Sequence, residues 1–165
     1  MVIDLEGLMQ GSQEQLALDC MLDFSNETLN GRVPFTTPVH VTGEIRNKAG
    51  IVTLDAVAAF TFTFDCDRCA SRTEKKMQVP LVHTLLQELS NDKDWEDYIV
   101  VPDLQLNLAD LALEDIYLSL PSKLLCKDDC KGLCPQCGTN LNEASCNCKK
   151  EVDPRLEALL SMLDD

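Results

Sequence analysis

Six of the nine cysteines in this chain, Cys126, Cys130, Cys134, Cys137, Cys146 and Cys148, fall within 23 residues. Such crowding restricts the fold sharply, because the segment must either be cross-linked or share its sulfurs with a metal. At its centre Gly132-Leu133-Cys134-Pro135-Gln136-Cys137-Gly138 reads as a metal knuckle. Pro135 stiffens the turn between the two thiols, and Gly138 lets the backbone fold beneath the sulfurs so that amides can reach them. A second pair with the same two-residue gap, Cys66 and Cys69, lies far upstream, and only Cys20 stands apart.

The compartment decides how these thiols are read. The first residues, Met1 to Glu6, carry acids and no basic stretch, which is unlike a secretory signal, and no apolar run approaches the roughly 20 residues of a membrane helix. A cytoplasmic protein is therefore expected, and cytosolic thiols are kept reduced. Dense Cys-x-x-Cys pairs there point to metal ahead of disulfides, whereas a redox pair usually stands alone.

With 165 residues the chain can hold one core with a small metal-stapled appendage. Period-two alternation predicts strands over Gln15 to Phe24, Val39 to Ile45, Ile51 to Phe64 and Thr73 to Leu89, with Pro80 implying an edge or a bulge in the last. Met1 to Gln10 reads as a short strand or extended arm, and Arg46 to Gly50 as a hairpin loop. Short strands are expected at Tyr98 to Val101 and Leu104 to Leu106, after an acidic loop, Ser90 to Asp97, holding Trp95. Asn107 can cap a helix from Leu108 that Pro121 ends. Asp153-Pro154 can open a last helix, Arg155 to Leu163, with a leucine stripe at 156, 159, 160 and 163. The expected fold is α+β: an antiparallel β meander packed with one or two helices and a C-terminal cysteine-rich zinc-knuckle region. Its parts are a β-rich core over 1–122 with a helix near 108–120, a cysteine-rich segment over 123–150 and a C-terminal helix over 151–165.

A closed structural zinc site takes four ligands, so eight clustered thiols suggest two sites. One division groups Cys134, Cys137, Cys146 and Cys148, and joins Cys66 and Cys69 to Cys126 and Cys130. Another makes a single site of Cys126, Cys130, Cys134 and Cys137. One or two zinc ions per chain follow, with a rubredoxin-type iron centre as the chemical alternative. Cys20, on the apolar side of its strand, is expected to be a buried structural thiol, and His40 and His83 structural histidines. Almost pure thiolate ligation leaves no open coordination position, and the sequence has no phosphate loop, dinucleotide turn, nucleophile elbow or HExxH helix. A non-enzymatic protein without a small-molecule substrate or membrane is expected.

The net charge of −14 opposes a chain-wide nucleic-acid platform, yet it is unevenly spread. Windows 66–76 and 123–155 hold ten of the fourteen basic residues and seven of the twenty-eight acids. Arg68, Arg72, Lys75, Lys76, Lys127 and Lys131 are the candidate phosphate contacts on that face, unless the lysines only offset thiolate charge.

Several features together resemble the bacterial YceD-like family: Cys66-Asp67-Arg68-Cys69 after a β run; Asp110 to Pro121 ending Leu-Ser-Leu-Pro; Cys126 to Cys130; Gly132 to Asn142 with its Cys-Pro-Gln-Cys-Gly; and Asp153-Pro154-Arg155. The resemblance spans nearly the whole chain, most specifically from residue 62 onward. It implies a cytoplasmic ribosome-biogenesis factor for the synthesis, processing, protection or accumulation of 23S ribosomal RNA. The partner is then ribosomal RNA, a pre-ribosomal particle, or a basic ribosomal or processing protein held by an acidic adaptor. The reading without RNA is a general zinc-binding protein interaction module. The assignment of Cys146 and Cys148 as ligands rests on spacing, not on this resemblance.

Overall fold

The computed structural model describes residues 1–29, 31–88 and 98–148. The expected Trp95 loop and C-terminal helix lie outside the described residues. The main sheet is built from β2 (Gln15–Leu22), β3 (Val39–Lys48), β4 (Ile51–Asp65), β5 (Arg72–Leu86) and β6 (Tyr98–Val100), in that order. The first four are antiparallel neighbours, which is the expected meander. A separate two-stranded ribbon pairs β1 (Val2–Asp4) with β7 (Gln105–Asn107). Among the described residues there are two helices, α1 (Glu6–Met9) and α2 (Leu108–Ser119).

Alternation in β4 buries one whole side, Val52, Leu54, Ala56, Ala58, Phe60, Phe62 and Phe64. Beside them lie Val39, Val41 and Ile45 of β3 and Val79, Leu81 and Leu85 of β5. Helix α2 covers this layer with Leu108, Leu111, Ala112 and Ile116. Phe35, from the loop before β3, sits at its centre, with ring centroids 5.5 Å from Phe24, 5.6 Å from Phe60, 5.8 Å from Phe62 and 6.4 Å from Tyr117 of α2. His83 of β5 and Asp115 of α2 meet at 2.6 Å, which fixes the helix against the strand.

Several details differ from the pattern read in the sequence. Residues 6–9 coil into one helical turn, started by the Glu6 amide donating to Asp4 Oδ1 at 2.8 Å. Asn107 makes no side-chain cap; its Nδ2 donates to Asp110 Oδ2, while the Leu108 amide is satisfied by Met1 O at 3.0 Å through the β1–β7 ribbon. Strand β6 runs parallel to β5, over Thr84 to Leu86, where a meander would have been antiparallel. Pro80 therefore falls in the long part of β5 that β6 does not reach, where a missing amide disrupts no ladder bond on that side. Cys20 is half-buried and packs against the core's margin.

Candidate metal centres

Strand β4 ends at Asp65, which is paired with Arg72 at the start of β5. The first knuckle, Cys66 to Ser71, is thus the loop of the β4–β5 hairpin. The Cys66 amide donates to Ser71 O at 3.0 Å and the Ala70 amide to Cys66 O at 2.8 Å, which aims both thiols the same way. Ala70 closes the turn at φ 55°, a left-handed conformation.

The second knuckle repeats this geometry. The Cys134 amide donates to Thr139 O and the Gly138 amide to Cys134 O, both at 2.9 Å, and Gly138 holds φ 71° where the first knuckle has Ala70. In both, a hydroxyl two residues after the second cysteine approaches its sulfur: Ser71 Oγ lies 3.3 Å from Cys69 Sγ and Thr139 Oγ1 3.1 Å from Cys137 Sγ. Ser71 and Thr139 were not singled out in the sequence, although their shared spacing from Cys69 and Cys137 was the available signal.

The remaining thiols reach the knuckles by different routes. After α2, Asp67 grips the chain twice, its amide donating to Leu124 O at 2.8 Å and its Oδ2 accepting the Leu124 amide at 2.7 Å. This delivers Cys126 and Cys130 to the first knuckle. All four sulfurs of Cys66, Cys69, Cys126 and Cys130 lie within 4.8 Å of one another, as do those of Cys134, Cys137, Cys146 and Cys148. Cys126 and Cys130 fall in a different group from Cys134 and Cys137, so the structure does not bring together the four thiols of the single-site division. Among the described residues neither His40, 2.7 Å from Asp19, nor His83 belongs to a metal-ligating cluster.

The donor sets fit a thiophilic ion. Tetrahedral Zn–S bonds of about 2.3 Å place the sulfurs roughly 3.8 Å apart. Cys66 and Cys130 are separated by 3.7 Å, and Cys69 and Cys126 by 3.6 Å. The centres differ in access: Cys66, Cys69 and Cys130 are buried, whereas in the second group only Cys134 is.

Protonation is uneven within each group. Burial opposes ionisation of Cys66, but the amides of Cys126, Cys69 and Arg68 outweigh it and bring the thiol down to about 6. The Thr139 hydroxyl and amide bring Cys137 to about 6 as well. Burial, then the neighbouring Cys130 and Cys69, push Cys126 up to about 12; for Cys148 the Cys137 side chain, then burial, does the same. A bound divalent cation, as the largest local charge, would favour the thiolate at every position.

Residues between the cysteines tie the two groups together. The Leu133 amide donates to Arg68 O at 3.0 Å, and Gly132 passes so near that an added Cβ would lie 3.0 Å from that oxygen. Asn142 Nδ2 donates to Cys130 Sγ at 3.3 Å while its Oδ1 accepts the Lys131 amide at 2.9 Å. Asn140 Nδ2 reaches Ser71 Oγ at 3.3 Å. These asparagines, also unmarked by the sequence pattern, lie in the second centre's loop and support the first centre's ligands.

The six candidate phosphate contacts, Arg68, Arg72, Lys75, Lys76, Lys127 and Lys131, are all exposed. Arg68 spends one N–H on Cys130 O at 2.9 Å. Of the six, only Lys127 has an acidic partner among the described residues, Asp129 at 3.9 Å. By contrast, Arg32 and Arg46, outside windows 66–76 and 123–155, are paired with Asp65 and Glu44. No helix among the described residues is long and apolar enough to cross a membrane.

The sequence profile described as large ribosomal RNA subunit accumulation protein YceD matches residues 54–163, from β4 through both cysteine groups. The chain is also similar to the large ribosomal RNA subunit accumulation protein YCED homolog 1, chloroplastic, of Arabidopsis thaliana. The identity is 28% over 151 residues, 72% of this chain and 46% of that protein. The Zea mays protein of the same name is 27% identical over 144 residues, 68% of this chain and 49% of the relative. An uncharacterized protein of Mycobacterium tuberculosis is 32% identical over 117 residues, 69% of this chain and 56% of the relative. The chain spans about half the length of these curated relatives. No solved structure matches it at a significant level.

Proposed function

Because the chain belongs to the YceD family of large ribosomal RNA subunit accumulation proteins, we propose that it is a cytoplasmic ribosome-biogenesis factor supporting the synthesis, processing or accumulation of 23S ribosomal RNA. It acts as a non-enzymatic binding protein. Zinc, one ion in each four-cysteine group, staples the surface that binds. Four thiolates close a tetrahedral site and leave no position for substrate or an activated water, which favours a structural role for the metal.

The observation that carries RNA contact is the distribution of unpaired charge. Among the described residues the basic side chains of windows 66–76 and 123–155 are exposed and, Lys127 apart, free of acidic partners, whereas of the three described basic residues outside them Arg32 and Arg46 are ion-paired and Lys48 is not. Positive groups left free are those able to displace counterions from phosphate. Binding of labelled 23S fragments should weaken steeply with salt. Replacing Lys75, Lys76, Lys127 and Lys131 with glutamine should flatten the slope by about 0.7 per lost contact on single strands. Absence of RNA binding at low salt defeats this reading.

The remaining surface supports a second one. Outside windows 66–76 and 123–155 the chain holds four basic residues against twenty-one acids. An acidic adaptor for a basic ribosomal or processing protein would bind through that surface, and the four glutamine replacements would then leave its binding unchanged.

A further inference from the structure

Between the end of β4, the flank of β5 and the segment leaving α2 lies a recess of about 180 Å³. Its apolar walls come from Phe64, Met77, Pro121, Leu124 and Leu125, and Lys75, Lys123 and Asp128 supply its charge. None of these three charged residues has an ion-pair partner among the described residues, although the adjacent Asp129 is held by Lys127 at 3.9 Å. A larger recess on the other side of Phe64 and Leu124, about 240 Å³, has its cation Arg32 already bound to Asp65 at 2.6 Å. Free charge and an apolar floor thus coincide only in the first of these two neighbours.

We propose that this recess holds one unpaired base of a single-stranded RNA, and that it selects bases bearing an exocyclic amino group. The proposal rests on the reading that the knuckle end contacts RNA. A recess of this size suits one planar ring better than a drug-sized ligand, whose pockets run from about 300 Å³ upwards. Unpaired bases are commonly taken up against apolar and aromatic side chains, with their edges read by hydrogen bonds. Lys75 and Lys123 have the charge and reach for the flanking phosphates. The carboxylate of Asp128 only accepts hydrogen bonds, so it favours the amino groups of adenine, cytosine or guanine over the edge of uracil, whose single N3–H donor is flanked by two carbonyl oxygens that repel it.

The test uses the full chain, purified with its metal, and fluorescence anisotropy with labelled single-stranded oligo(A), oligo(C) and oligo(U) RNA at low salt. Oligo(A) and oligo(C) are expected to bind at least about fivefold more tightly than oligo(U), the ratio that a discrimination of about 1 kcal/mol gives. Asp128→Asn, whose amide offers both a donor and an acceptor, should bring the three affinities within about twofold while keeping the salt slope. Met77→Phe should erode the preference by filling the recess, and unchanged metal content certifies that each variant is folded. Salt-dependent binding without base preference, or a preference that survives Asp128→Asn, overturns the pocket and leaves RNA contact standing. No binding to any of the three RNAs defeats RNA contact itself, and the pocket with it.

Discussion

At the scale of single residues, the left-handed positions separate backbone strain from crowding. Gly132, at φ 77°, faces Arg68 O, whereas Gly138, at φ 71°, has open space around it. Gly138→Ala should cost about 1 kcal/mol and Gly132→Ala about 2 kcal/mol or more, read by chemical denaturation of the metal-loaded chain. Ala70→Gly should stabilise, since Ala70 already bears the strain at φ 55° that Gly138 avoids. The thiols make a second residue-level prediction. At pH 7.5 Cys66 and Cys137, at about 6, are largely thiolate, so protons released on metal binding come from the thiols that stay protonated, among them Cys126 and Cys148, at about 12, and Cys146, which is also raised. Affinity must then rise with pH, and calorimetry in two buffers of different ionisation enthalpy counts the protons; a pH-independent affinity would contradict thiolate ligation. Cysteine spacing made the candidate ligands legible in the sequence, because a two-residue gap fixes where two sulfurs point. Asn140 and Asn142 were not legible, since nothing local marks a side chain whose partner, Ser71 or Cys130, is brought to it by the fold.

At the scale of elements, Phe35 holds the loop before β3, strand β4 and helix α2 in one aromatic cluster. Phe35→Ala should cost about 3–5 kcal/mol, the range for emptying a large core position. Gly43 of β3 is opposite Ala56 of β4, and a Cβ there would come within 2.3 Å of Asp55 O. Gly43→Ala should therefore force the two strands apart and cost about 3 kcal/mol, visible as a lower denaturation midpoint. The four long strands were legible because alternation records which side of each meets the core. The direction of β6 was not, since a three-residue strand carries no sign of its partner, and residues 89–97 before it lie outside the described part. The start of α2 was placed correctly at Leu108 on an incorrect mechanism: Asn107 marks the boundary, but Met1 O satisfies the first amide.

For the whole molecule, the β core meets the end that carries both four-cysteine groups through the β4–β5 hairpin and the exit of α2. Cys134→Ser should loosen the second centre and its loop while leaving the sheet folded; loss of all β signal in circular dichroism would contradict that division. The two centres should also differ in reactivity. Cys137 and Cys148 are exposed while Cys66, Cys69 and Cys130 are buried, so a thiol-alkylating reagent should release metal in two phases, the faster from the second centre. A single phase would mean that the centres open together. If each four-sulfur group holds one zinc ion, elemental analysis of chain purified without added metal will count them. Two zinc ions per chain are expected, one for each group, and one after Cys134→Ser. Zinc at one ion per chain or none in the unaltered protein, or iron in its place, would contradict it.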